Sequence, residues 1–140
     1  MKRAFIDANV ILRYFTKDPP AMAEAALKTF SAAQEGRVCL VLIPITVAEV
    51  IWVLESFYGY PKAQIADTIS LFLRSDGLEV VDLELLFEAL NQYQEKNIDF
   101  ADALLSTFAL HRGLNLIYSF DRHFDRLSGI TRLEPGEMPN

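Results

Sequence analysis

Residues 4–12 read AFIDANVIL, where a short apolar run leads into a carboxylate, an amide and the start of an amphipathic pattern. The apolar run predicts a buried first strand over about 3–6, and the pattern after it predicts a helix over about 9–15. Asp7 then lies at the carboxyl end of a strand, the edge of an open α/β sheet where ligands bind. The alternative is that Asp7 or Asn9 only caps the helix, because both residue types are good N-caps.

Strand-like and helix-like segments alternate along the whole chain. Apolar runs predict further strands over 39–43, 80–81 and 116–118, and residues 131–133 are a candidate edge strand. Helical spacing of apolar residues predicts helices over 9–15, 21–35, 46–58, 61–75, 83–96, 99–111 and, shorter, 121–127. This alternation is typical of a parallel sheet with helices on both faces, so we predict an α/β fold. We expect one domain over 1–140, with a core of about 3–133 and a loose C-terminal tail.

The composition limits the classes of function. The 140 residues are 51% apolar and carry a formal net charge of −6, which argues against binding duplex nucleic acid through a broad basic face. An acidic chain fits a protein that gathers carboxylates around a divalent cation, or one with a basic partner. The single cysteine, Cys39, excludes an intramolecular disulfide and is consistent with a reducing cytosol. The sequence offers no uninterrupted membrane span, so we expect a cytoplasmic protein without membrane contact.

Three more acids stand at positions comparable to that of Asp7. Glu49 follows the second predicted strand, Asp121 follows the fourth, and Asp102 opens a helix. Because the carboxyl ends of parallel strands share one sheet edge, these like charges would repel each other there. A hard divalent cation with oxygen ligands removes that cost, and Mg²⁺ or Mn²⁺ fits such a set of donors.

Each of these acids also has a purely structural interpretation. Thr46 and Glu49 have the spacing of a capping box. Asp99 and Asp121 are natural N-caps, and Asp102 is a natural first-turn residue for the helix dipole. Taken singly, each structural interpretation is favoured, and only the shared pattern of the four acids points to a metal site.

Four short segments resemble the motifs of a known family. They are FIDAN at 5–9, VAEV at 47–50, DFADALL at 99–105 and YSFD at 118–121. In this order and spacing they resemble the motifs of PIN-domain ribonucleases, especially VapC-like toxins of type II toxin–antitoxin systems. The resemblance covers residues 3 to about 133 and implies a three-layer α/β/α sandwich with a central parallel sheet.

The resemblance also implies a set of site residues. The family's catalytic acids fall on Asp7, Glu49, Asp102 and Asp121. Supporting positions fall on Asn9, Thr46, Asp99 and Ser119, where serine replaces the more common threonine. Asp7 and Asp102 are the expected metal ligands, and Glu49 and Asp121 would ligate a second metal or hold metal-bound water.

The expected activity is Mg²⁺- or Mn²⁺-dependent hydrolysis of RNA, with a single strand or a loop as the substrate. Arg13, Arg122 and Arg126 are candidates for offsetting RNA phosphate charge, although for each of them the interpretation as an exposed solubilising residue is favoured. VapC-like toxins usually form homodimers and are blocked by a small antitoxin protein, so both partners are expected here.

Two other functions stay open at this point. The first is a phosphatase with an aspartyl nucleophile on the first strand, although enzymes of the haloacid-dehalogenase type want an aspartate where this chain has Asn9. The second is a non-catalytic PIN-like module that binds RNA or protein, which the loss of an acid would favour. All four acids are present in this chain.

Overall fold

The computed structural model describes residues 2–140, which divide into two compact units. The first unit ends at Leu83, and the second runs from Glu84 to Asn140. The first unit contains β1 (Lys2–Phe5), α1 (Ala8–Thr16), α2 (Pro20–Gln34), β2 (Val38–Leu42), α3 (Pro44–Ser56), α4 (Lys62–Leu73) and β3 (Leu78–Val80). The second contains α5 (Leu83–Glu95, which begins at the boundary), α6 (Phe100–His111), β4 (Leu116–Tyr118), a short 3₁₀ helix (Arg122–Arg126) and β5 (Thr131–Leu133).

The sheet of the first unit has the order β1-β2-β3, and both pairings are parallel. The central strand β2 is buried from Leu40 to Leu42, as its continuous apolar run predicts. The prediction of a buried first strand is wrong, because all four residues of β1 are exposed and Phe5 is 75% exposed. Burial is centred on β2, against which α2 packs, whereas β1 lies at the sheet edge. The first buried residue is Ile6, directly after the strand.

The helices of the first unit share one apolar core. α1 packs against both α2 and α3, and it buries Ile11 completely. Four aromatic rings meet beside this contact with centroids 4.6–6.4 Å apart, and they belong to Tyr14, Phe15, Phe30 and Phe72. The core therefore fixes α1, and with it the position of Asp7 at the start of that helix.

The second unit has a smaller parallel sheet of β4 and β5, in which Ile117 is opposite Arg132. Of the predicted buried strand over 116–118 only Ile117 is buried, because β4 pairs with nothing but the three-residue β5 within this unit. The face of α5 predicted from its apolar spacing is confirmed, and its buried Tyr93 makes an edge contact with Phe100 at the start of α6.

All strand pairs in residues 2–140 are parallel and helices alternate with them, so the predicted α/β fold class is confirmed. The strands form one sheet in each unit. No helix of residues 2–140 is long and apolar enough to cross a membrane.

The close approach of Gly77 to α2 gives a stability prediction. Gly77 has a φ of +87°, and a Cβ there would overlap the carbonyl and the Cβ of Ala33, whereas Gly36 has a φ of +79° with open space around it. Gly36→Ala should therefore lower the free energy of unfolding by about 1–2 kcal/mol, the cost of a left-handed backbone conformation for a residue with a Cβ. Gly77→Ala should lower it clearly more. Denaturant unfolding of the two variants measures the difference, and equal losses would show that the contact with Ala33 is loose.

Candidate metal-binding site

Asp7 stands where the chain passes from β1 into α1. It is the N-cap residue of α1, with extended backbone (φ −87°, ψ 154°), and it is exposed. Its side chain makes no capping hydrogen bond to the described chain. Asn9 lies one residue inside the helix and is also exposed. The capping interpretation is therefore wrong for both side chains, and the carboxylate of Asp7 is available for another role.

Glu49 lies on α3, and the capping-box interpretation for it is wrong. The helix begins at Pro44, with Ile43 as the N-cap, so Thr46 is already the third helical residue. Proline suits this first position because it lacks an N–H and its φ is set for a helix. Glu49 is exposed in the second turn of α3, too far into the helix to return to the backbone of an N-cap.

Asp121 begins the 3₁₀ helix of the second unit, and here the capping interpretation is confirmed. Its Oδ1 accepts a 2.8 Å hydrogen bond from the backbone N–H of His123 and lies 3.3 Å from Nδ1 of the same histidine. The backbone N–H of Asp121 in turn donates to Oγ of Ser119 at 2.9 Å. These bonds fix the direction of the Asp121 side chain, and its second carboxylate oxygen is left for other contacts.

Asp102 lies in the first turn of α6, two residues after the helix begins at Phe100. Partial burial raises the pKa of its carboxyl, and repulsion by Asp121 and then by Asp99 raises the pKa further, while His123 opposes the shift. Asp99 is the N-cap of α6, but within the described chain its side chain caps nothing. Asp121 and Asp99 are thus near enough to disfavour the charged form of Asp102.

Arg132 holds the loop that carries Asp121, a role that the sequence did not reveal. Its mostly buried guanidinium donates to the backbone carbonyl of Ser119 at 2.9 Å, to Glu134 at 2.6 Å and to Asp125 at 3.1 Å. The only sequence signal is a charged residue inside a predicted strand, and it does not identify these partners.

The three arginines predicted for RNA phosphates have different surroundings. Arg126 donates to the backbone carbonyl of Asn97 at 2.6 Å, and so it braces the turn before α6. Arg13 donates to the carbonyl of Asp18 at 3.3 Å. Arg122 is exposed on the 3₁₀ helix, one residue after Asp121.

A comparison with protein-family models identifies the family of this chain. The model of the PIN domain matches residues 4–130. This chain belongs to the PIN-domain family. A search of curated proteins found no match. The PIN fold is generally that of a metal-dependent nuclease, so the family agrees with the carboxylates that this PIN domain presents.

The donor set of this PIN domain fits a hard divalent cation, because carboxylate oxygens are the ligands that Mg²⁺ and Mn²⁺ prefer. Within residues 2–140, no three or more His, Cys, Asp or Glu side chains are gathered closely enough to hold a metal ion.

The raised pKa of Asp102 predicts how its neutral variant affects stability. The folded protein holds the Asp102 proton more tightly than the unfolded chain, so stability is lost as the pH rises through the raised pKa. At pH 7 without metal, Asp102→Asn should melt higher than the wild type. The difference should vanish once the pH falls below the ordinary aspartate pKa. Thermal melts in EDTA across this range measure it.

The control for this prediction is Glu84→Gln, which changes the exposed first-turn acid of α5. It should lower stability by about 0.3–1 kcal/mol, because it removes a favourable interaction with the helix dipole. If Asp102→Asn behaves like Glu84→Gln, the carboxylate of Asp102 is an ordinary first-turn acid and the repulsion is unimportant.

Proposed function

We propose that this PIN domain is a Mg²⁺- or Mn²⁺-dependent ribonuclease that hydrolyses phosphodiester bonds of RNA. The catalytic acids are Asp7 and Glu49 of the first unit and Asp102 and Asp121 of the second. The proposal treats residues 1–140 as one catalytic domain, which the family match over 4–130 supports because it spans both units.

The observation that carries the proposal is the setting of Asp102, where partial burial and then repulsion by Asp121 and Asp99 raise the pKa of the carboxyl. Keeping a carboxylate partly buried beside two others lowers the stability of the fold, and acids with such perturbed pKa values are typical of functional sites. The first unit adds Asp7 and Glu49, which are exposed and whose capping interpretations fail. A divalent cation would offset the charge of such acids.

Each acid has a stated role in this mechanism. Asp7 and Asp102 would hold the metal ion, while Glu49 and Asp121 would ligate a second ion or orient its water. When bound, such ions supply a water of lowered pKa and stabilise charge on the leaving oxygen.

The neighbouring polar residues position these acids or the substrate. Ser119 directs Asp121 through its hydrogen bond to the Asp121 backbone, and Asn9, Thr46 and Asp99 support the other acids. Arg13 and Arg122 offset phosphate charge. Arg126 also has a structural role, because it donates a hydrogen bond to the carbonyl of Asn97.

We further propose the biological setting of a cytoplasmic toxin that forms a homodimer and is inhibited by a small antitoxin protein. The support is a set of exposed apolar side chains, a feature of surfaces that bind other proteins. On α3 these include Ile45 at 72% and Trp52 at 67% exposure, with Phe57 at 78% directly after the helix. A single-stranded or looped RNA is the substrate class, because its bases are open to recognition.

Cleavage of a labelled single-stranded RNA tests the activity. With Mn²⁺ the wild type should cleave and EDTA should stop it, because the acids act through a cation. Asp7→Asn and Asp102→Asn should each lose at least about a hundredfold in rate, the lower end of the range for a positioned catalytic group. Asp67→Asn, an exposed acid on α4, is the matched control and should cleave normally.

Undiminished cleavage by Asp102→Asn would remove this residue from the site, and binding of RNA without cleavage would favour a non-catalytic module. Expression of the same proteins in a bacterium tests the toxin role. Growth slowed by the wild type but not by Asp102→Asn supports a toxin, and equal growth contradicts it.

A further inference from the structure

A cavity of about 260 Å³ lies within the second unit, apart from the acids described above. Its polar lining residues are Glu88, Asn91, Gln92, Ser106, Thr107 and Ser128. Its apolar lining residues are Leu110, Leu127 and Ile130. A cavity lined by both polar and aliphatic side chains suits a flat ring with a polar edge.

Four of the polar lining residues, Glu88, Gln92, Ser106 and Thr107, offer a hydrogen-bond acceptor, and the carboxamides of Asn91 and Gln92 also carry donors. The hydroxyl of Ser106 donates to the carbonyl oxygens of Asp102 and Ala103 at 3.0 Å, and that of Thr107 donates to Ala103 at 2.8 Å. Since a hydroxyl has one proton, these oxygens can only accept a further bond from a ligand. Glu88 contributes a carboxylate, of which Oε2 lies 2.7 Å from Nε2 of His111.

Gln92 adds an acceptor that has no donor. Its Oε1 is buried and accepts no hydrogen bond from residues 2–140. An unmade bond at a buried oxygen is costly, so a donor that enters this region gains more than it would at the surface. Gln92 is among the residues that line the cavity, so a donor bound there can pair with this oxygen.

We propose that this cavity binds an unpaired guanine base, a proposal that rests on the ribonuclease function above and names its substrate more closely. The Watson–Crick edge of guanine carries adjacent N1–H and N2–H₂ donors, which match an acceptor-rich surface that includes a carboxylate. Adenine and cytosine place a ring acceptor beside their amino group, and uracil has one N–H between two carbonyls. Bases outside a helix are commonly read by this edge and packed between apolar side chains.

The position of the cavity fits a subsite of the same enzyme. Ser106 stands one helical turn after Asp102 on α6, and the two residues are joined by the hydrogen bond from the Ser106 hydroxyl to the Asp102 carbonyl. A base on the cavity wall therefore places its nucleotide one turn of helix from a proposed catalytic acid. The small side chain of Ser106 leaves space for that base.

Titration of the 140-residue protein with nucleoside 5′-monophosphates tests the proposal without any cleavage. GMP, IMP and AMP share sugar and phosphate, and IMP differs from GMP only in lacking the 2-amino group. Two-dimensional NMR with calorimetry should show saturable GMP binding that shifts the side-chain amide of Gln92. The Kd for GMP should be at least about fivefold lower than for IMP or AMP, the discrimination expected of a good bidentate pair.

Two variants and one control test whether the preference for GMP arises in the cavity. Gln92→Leu and Glu88→Gln should each remove most of the preference for GMP, and Gln92→Leu should melt no lower than the wild type because it removes an unpaired buried oxygen. His111→Gln is the control for the His111–Glu88 pair and should keep the preference. Equal binding of GMP and AMP, or a preference that survives both cavity variants, would overturn the proposal.

The binding experiment and the RNA cleavage assay can fail independently of each other. Selective GMP binding by a protein that cleaves no RNA supports the guanine site and contradicts the proposed function. Cleavage of RNA by a protein that binds GMP, IMP and AMP alike supports the function and overturns the guanine site.

Discussion

The repulsion of the Asp102 carboxylate by Asp121 and Asp99 is the constraint on which the proposed site depends. An unconstrained chain would let these side chains move apart into water. Here α6 fixes Asp99 and Asp102 at its first turn, and the Ser119 hydrogen bond fixes Asp121. Arg132 holds the carbonyl of Ser119 in place from the other side. Local structure thus maintains an arrangement that electrostatics alone disfavours, which is the pattern expected where a cation is to be bound.

The alternation of strands and helices could be predicted because apolar periodicity depends on local sequence. Burial was less predictable, since it depends on which strand lies at the centre of the sheet. The run at 39–43 and the run at 3–6 look alike in sequence, but only the first corresponds to the central strand β2. The second corresponds to an edge strand, where Phe5 is exposed and burial starts at Ile6.

The candidate acids could be chosen from sequence because each follows a predicted strand or opens a helix. The local roles of these acids could not be predicted from the sequence. Whether a residue caps a helix depends on the exact residue at which that helix begins. Pro44 moved the start of α3 ahead of Thr46, which removed the capping box from Glu49. The partners of Arg132 and the unpaired oxygen of Gln92 arise from tertiary packing, and no local pattern predicts them.

The central proposal is that Asp7 and Asp102 are ligands of the metal ion. Calorimetric titration of Mn²⁺ into the wild type, Asp7→Asn, Asp102→Asn and the double variant tests it most directly. If both residues ligate the same ion, each single variant should weaken Mn²⁺ binding by at least about tenfold, the lower end of the effect of losing even an outer-shell partner. The double variant should lose much less than the product of the two effects, because the two residues act through one ion. Unchanged affinity in Asp7→Asn, or losses that simply multiply, would contradict the account.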